Sequence, residues 1–316
     1  PIDYKMAMER IRREQVPEAY LFDTTKYHKI DDAQLLYDPV AQWACAIEAP
    51  SALAVGPQGR IYVAGEDAVL MLDTDGQELD RHGVDGAPTA MAVTEDGGLL
   101  LALRDHVTVV APSGEAKAWD TLGEKAYLTS IAARDGEVYV ADAGRRQVLR
   151  YDENGEVLGR IGAQSETQDL GAPGFIVPSA CFDLAFDPQG ALWVVNPGRH
   201  GLENYRPDGT LTSSWYRPSM KPEGFCGCCN PTHIAFRHDC MLITAEKGIV
   251  RVKVYRPDQT MLGFVAGPAS FGVAPGNPFA EDVEAPIADL AIDAQDRILV
   301  LDNKHGVVRV FEEKDA

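Results

Sequence analysis

The chain has 316 residues, 45% of them hydrophobic and 24% charged, a globular composition with no apolar run long enough to cross a bilayer. Its formal charge of -19 at pH 7 argues against nucleic-acid phosphates and anionic lipid heads as main partners. The six cysteines, Cys45, Cys181, Cys226, Cys228, Cys229 and Cys240, are few for this length, and most are not spaced as a disulfide scaffold.

The segment from Asp3 to Glu14 mixes Met6, Ala7, Met8 and Ile11 with Glu9, Arg10, Arg12 and Arg13, and Pro17 ends it. This predicts a short helical arm outside the main fold, within residues 1–33. Pro1 to Pro17 is charged throughout, so no signal peptide is expected in it. Leu35-Leu36-Tyr37 reads as an edge strand.

From Pro50 a repeat sets in. Pro50-Ser51-Ala52-Leu53-Ala54-Val55 returns as Pro88 to Val93, Leu128 to Ala133, Cys181 to Phe186, Pro231 to Phe236 and Ile287 to Ile292. Alanine holds one place in every copy: Ala54, Ala92, Ala132, Ala185, Ala235 and Ala291. A small side chain there suits inner strands crowded around an axis. Each copy is followed by further apolar runs, separated by turn signals such as Asp75-Gly76, Asp135-Gly136, Asn154-Gly155 and Asp208-Gly209. Units of four short strands at roughly 40–50 residues predict an all-β, six-bladed propeller over 34–316. The last unit ends at Phe311 without a fourth strand, which the N-terminal strand near Leu35 to Asp38 is expected to supply.

These copies resemble NHL repeats, best at Val140-Ala141-Asp142-Ala143-Gly144 with Val148-Leu149-Arg150-Tyr151. The resemblance covers Pro50 to Phe311 and implies the propeller fold while leaving activity open, since NHL-like propellers include lyases, ligand binders and scaffolds. The insert Cys226-Gly227-Cys228-Cys229-Asn230-Pro231 lies outside the general repeat. It is similar to that of a subgroup of bacterial NHL proteins, which implies an iron–sulfur centre.

Three inter-blade connections are long, Gly162 to Ala180, Arg217 to Asn230 and Ala266 to Ala285, and loops on one face of a rigid scaffold are where sites are built. Cys181 occupies the repeat position of Pro231, so it is expected to face Cys226, Cys228 and Cys229 across one blade boundary. Four thiolates suit an iron–sulfur cluster or zinc, and the plainer alternative is a disulfide such as Cys226 to Cys181, or inert thiols. Adjacent Cys228 and Cys229 strain to reach one tetrahedral ion, which favours a 4Fe–4S cluster and a redox or electron-transfer role with a redox partner protein. Cys45 is the weaker alternative ligand, and Cys240 falls in a turn at the far end of its strand.

A second set is independent of the thiols. Gly65, Arg104, Asp142, Asn196, Glu246 and Asp302 close the second strands, and an inner-strand position carries Ala52, Ala90, Ser130, Asp183, His233 and Asp289. Both sets are expected at the channel mouth. Gluconolactonase-like propellers hold a divalent metal with Glu, Asn and Asp at such a mouth. That resemblance implies the alternative function: a metal-dependent lactonase-type hydrolase, with Glu246, Asn196 and Asp302 around calcium and His233 as a base. For Asp142 and Asp302 the plainer expectation is that they bind turn backbone amides. A non-catalytic binding propeller is the third reading. Compartment, cytoplasmic or periplasmic, is open at this stage.

Overall fold

The computed structural model describes residues 25–162, 174–227, 229–273 and 286–315. The expected helical arm, Cys228 and much of two long connections lie outside these residues. The described chain folds into six four-stranded antiparallel sheets, five of them meanders from inner to outer strand and the sixth closed by an N-terminal strand. Blade one is β2 (Ala52–Val55), β3 (Ile61–Ala64), β4 (Ala68–Leu72) and β5 (Glu78–Gly83). Blades two and three run from β6 (Ala90–Val93) to β9 (Ala116–Ala118) and from β10 (Leu128–Arg134) to β13 (Val157–Ile161). Blade four is β14 (Leu184–Phe186), β15 (Leu192–Asn196), β16 (Gly201–Tyr205) and β17 (Leu211–Tyr216). Blade five is β18 (His233–Phe236), β19 (Leu242–Glu246), β20 (Arg251–Tyr255) and β21 (Met261–Ala266). Blade six is β22 (Ile287–Ile292), β23 (Ile298–Asp302), β24 (Val307–Glu313) and, as its outer strand, β1 (Tyr37–Ala44).

The N-terminal closing strand is therefore present, but it lies further along the chain than Leu35 to Asp38. Tyr37 pairs with Glu313 and Ala44 with Val307, while Leu35 makes a parallel bridge to Phe264 of blade five. The longer register buries Tyr37 and Trp43 against the neighbouring blades, which a four-residue strand would not reach.

Apolar burial is concentrated between blades. One cluster joins blades two and three through Leu100, Trp119, Val140 and Tyr151, and another joins blades five and six through Ile243, Val252, Val300 and Phe311. Each of the six interfaces has such a cluster. The inner strands contact one another in a closed ring around an axial channel. The six repeat alanines line that channel, where larger side chains would fill it. No described helix is long and apolar enough to cross a membrane.

Candidate active site

The inner-strand ring assembles as its sequence positions predict. The channel holds a cavity of about 330 Å³ lined by Ser130, Asp183, His233 and Asp289, together with the small residues of the other blades. His233 Nδ1 stands 3.8 Å from Asp289 Oδ1 and 4.0 Å from Asp183 Oδ2, so three adjacent blades converge on one imidazole. Both carboxylates are held by backbone. Asp183 Oδ2 accepts from Ile234 N at 2.7 Å, and Asp289 accepts from Leu53 N and Leu290 N, each at 2.8 Å. The bonds from Ile234 N and Leu53 N run from blade to blade, so the ring itself fixes the carboxylates.

Burial dominates the electrostatics. It pushes Asp289 up to about 8, helped by the charge of Asp183 and opposed by the two backbone donors. It raises Asp183 also, against His233 and hydrogen bonds from Ser130, Ile234 and Leu184. His233 is lowered below its usual 6.5 by burial, with Asp183 opposing. Near neutral pH these shifts favour a neutral imidazole beside a protonated Asp289 carboxyl, a base and an acid in opposite states. The gaps of 3.8 and 4.0 Å exceed direct hydrogen-bond length, so one bridging oxygen can touch both groups. His233 also lines a depression of about 590 Å³ bordered by Ser51, Thr129, Asn303 and Lys304, which opens the site to the face where the inner strands begin.

The second-strand residues do something else. Asn196, Glu246 and Asp302 are each almost wholly buried, and none lines the channel or its mouth. Asn196 donates to Glu203 at 2.8 Å and accepts from Ile176 N. Asp302 accepts from His305 N and pairs with Arg309 at 2.7 Å, while Asp142 accepts from Tyr127 N and Arg145 N. The plainer expectation for the two aspartates, turn amides, is what these contacts show. Glu203, Lys253 and Arg309 occupy one position of the third strands, so the repeat pairs each strand-end residue with its own blade. The expected calcium set of Glu246, Asn196 and Asp302 is thus dispersed among three blades. Among the described residues no group of three His, Cys, Asp or Glu is placed to hold a metal ion.

Beneath the cysteine loop lies a charged cluster that sequence reasoning missed. Glu246 pairs with Arg251 at 2.7 Å and Lys253 at 3.3 Å, all three fully enclosed. Lys253 donates to the carbonyls of Gly224 and Pro222 and sits 4.4 Å from the Phe225 ring centroid. Burial lowers it to about 8, with Glu246 opposing and Arg251 assisting. The signal was present in Val250-Arg251-Val252-Lys253-Val254, but on a third strand alternation ordinarily means a solvent face.

Cys226 is buried, with its Sγ 3.7 Å from Arg251 Nη2, and burial and Glu246 push its thiol up while Arg251 and Lys253 oppose. Asn230 fixes the loop by donating to the carbonyls of Cys226 and Lys247. Cys229 is buried, Cys181 half-buried, and Cys228 outside the described residues. The described thiols do not by themselves form a metal or cluster site. Cys45 lies in the interface of blades six and one, its thiol pushed up to about 11 by burial. Cys240 occupies a turn with φ 68°, as its spacing indicated.

No protein-family model and no curated protein sequence matches the chain. Solved structures similar to it are propellers. A streptogramin B lyase is 10% identical, covering 90% of this chain and 100% of its own at a TM-score of 0.58. A catalytically inactive histidine-to-alanine virginiamycin B lyase from Staphylococcus aureus, bound to quinupristin, is 11% identical, covering 86% and 87% at 0.56. A gluconolactonase from Xanthomonas campestris is 17% identical, covering 88% and 99% at 0.59. At these identities the likeness is one of fold.

Proposed function

We propose that the chain is an acid–base enzyme that opens an ester or lactone C–O bond of a small molecule at the channel mouth. The observation that carries this is His233 held between Asp183 and Asp289, with burial setting base and acid in opposite protonation states. With Nδ1 turned to the carboxylates, Nε2 of neutral His233 is the nitrogen left to take a proton from water. The hydroxyl oxygen adds to the carbonyl carbon, the C–O bond to the leaving oxygen breaks, and protonated Asp289 gives that oxygen its proton. Asp183 stabilises the imidazolium as it forms. The residues do not fit the metal-dependent version of this chemistry through Glu246, Asn196 and Asp302, and no step is routed through a metal. Propellers of this shape that work as a lyase and a gluconolactonase, one lyase inactivated by loss of a histidine, support the reading.

The test is a pH-stat assay against a panel of γ- and δ-lactones, with and without chelator. Wild type is expected to turn over at least one of them, and His233→Ala to lose at least about a hundredfold in kcat/KM. No turnover of any ester or lactone, or full activity in His233→Ala, would overturn the reading.

An iron–sulfur centre is the second proposal, and one observation favours it: Cys226 and Cys229 are both buried in one short loop, with Cys226 beside the guanidinium of Arg251. With Cys181 and Cys228 they would supply four thiolates. Anaerobically purified protein would then contain iron and acid-labile sulfide in similar amounts, and iron-free protein would end it.

A further inference from the structure

The backbone of the channel wall carries a pattern of its own. In each inner strand alternate amides pair with the second strand, and the amide between them points to the axis, where no further strand follows. Leu53, Met91, Ile131, Leu184, Ile234 and Leu290 hold that place, each in the same register against its second strand. In blades one, four, five and six the axial amide is taken. Asp289 of blade six accepts from Leu53 N of blade one at 2.8 Å, Ser130 Oγ of blade three from Leu184 N of blade four at 3.2 Å, and Asp183 of blade four from Ile234 N of blade five at 2.7 Å. Leu290 N donates to the other oxygen of Asp289 at 2.8 Å. The side chain of one inner strand thus caps the axial amide of the next. Blades one and two carry Ala52 and Ala90 at the capping position, and a methyl group accepts nothing. Among the described residues no group accepts from Met91 N or Ile131 N. Both residues line the cavity that holds Asp183, His233 and Asp289. An amide left uncapped in an enclosed channel forgoes a hydrogen bond that a serine there would supply, and it is a ready donor to an incoming oxygen.

We propose that Met91 N and Ile131 N form an oxyanion-binding pair that takes the carbonyl oxygen of the substrate. The inference rests on the acid–base function proposed for the channel and narrows its substrate to an acyl compound, since an ether or a glycoside develops no such oxyanion. As His233 takes a proton from water, the water oxygen bonds to the carbonyl carbon and the C=O π pair moves onto the oxygen held by the two amides. Return of that pair re-forms C=O and breaks the bond to the leaving oxygen, which takes the proton of Asp289.

Two measurements test the pair. In the first, full-length protein labelled with nitrogen-15 methionine and isoleucine is titrated with methylphosphonate at pH 6.5, followed by amide NMR and by calorimetry. Saturable binding is expected, with the Met91 and Ile131 amides moving most. No saturable binding, or binding that leaves both amides unmoved, overturns the proposal. In the second, Ala52→Ser and Ala90→Ser each place a hydroxyl where Ser130 stands in blade three, capping one free amide. Each is expected to weaken methylphosphonate binding about tenfold and to lower kcat on a lactone about a hundredfold with KM little changed. The melting temperature should equal or exceed that of wild type, because a donor gains its acceptor. Damage to the fold would lower stability and rate together. A kcat within about threefold of wild type in both variants overturns the proposal. The two readings fail separately. Lactone turnover that needs His233 but ignores both serines removes the amide pair and leaves the acid–base function. Methylphosphonate held by the two amides, in protein that turns over no ester or lactone, keeps the oxyanion site and removes that function.

Discussion

At the scale of single residues, two groups decide most of the chemistry, and both have measurable consequences. Asp289 has its folded pKa raised to about 8 from an ordinary 3.8. Below about 3.8 the carboxyl is neutral in both states and costs nothing. As pH rises toward 8 the unfolded chain ionises first, so stability is progressively lost. Asp289→Asn removes that loss. Urea unfolding should therefore show wild type losing more stability than the variant between pH 5 and pH 8, and parallel curves would contradict the assignment. Glu246 is the other group. Among the described residues it is the only carboxylate paired with Arg251 and Lys253, so Glu246→Gln leaves two buried cations facing a neutral amide. The expected cost is about 3–5 kcal/mol in urea unfolding, and a change within about 0.5 kcal/mol, as at an ordinary surface site, would show that the cluster is not buried as described.

At the scale of elements, the repeat was legible because each inner strand begins with the same small-residue pattern, and Asn154-Gly155 and Asp75-Gly76 were legible as hairpin turns. What those glycines do beyond turning was not legible. A Cβ on Gly155 would lie 2.5 Å from the ring of Trp119, at the end of the preceding blade, and one on Gly76 would lie 2.1 Å from Trp43. Each glycine lets a tryptophan of the neighbouring blade lie flat on the turn, a contact between blades that turn chemistry does not encode. Gly155→Ala adds this overlap to the cost of φ 91° and should destabilise by about 2–4 kcal/mol in chemical denaturation. A neutral substitution would mean the turn can move off the ring. The strand-end residues Asn196, Glu246 and Asp302 misled for a similar reason. Their spacing placed them correctly on the channel-mouth side, but pairing with Glu203, Arg251 and Arg309 turns them into their blades, and that depends on partners several residues further along a different strand.

At the scale of the whole molecule, six blades close because β1 pairs with β24 through a run from Tyr37↔Glu313 to Ala44↔Val307, and Arg237 of blade five ties in by donating to Tyr37 Oη at 2.6 Å. Removing residues 1–44 should expose β24 as an open edge, broaden and lower the thermal transition, and promote self-association seen by size exclusion. Removing 1–24 leaves β1 in place and should leave the transition cooperative. Closure of the ring also builds the site, since Asp289 is held by Leu53 of blade one and Asp183 by Ile234 of blade five, while His233 stands between the two carboxylates. The inner ring of Asp183, His233 and Asp289 could be placed from the repeat alone; the protonation states could not, because they arise from burial at the axis. Those states are what the pH dependence of kcat/KM on a reactive lactone reads most directly. A bell is expected, with an acid limb below pH 6.5 from His233 and an alkaline limb near pH 8 that disappears, on a much lower plateau, in Asp289→Asn. A rate that keeps rising through pH 8, or an alkaline limb unchanged in Asp289→Asn, would contradict it.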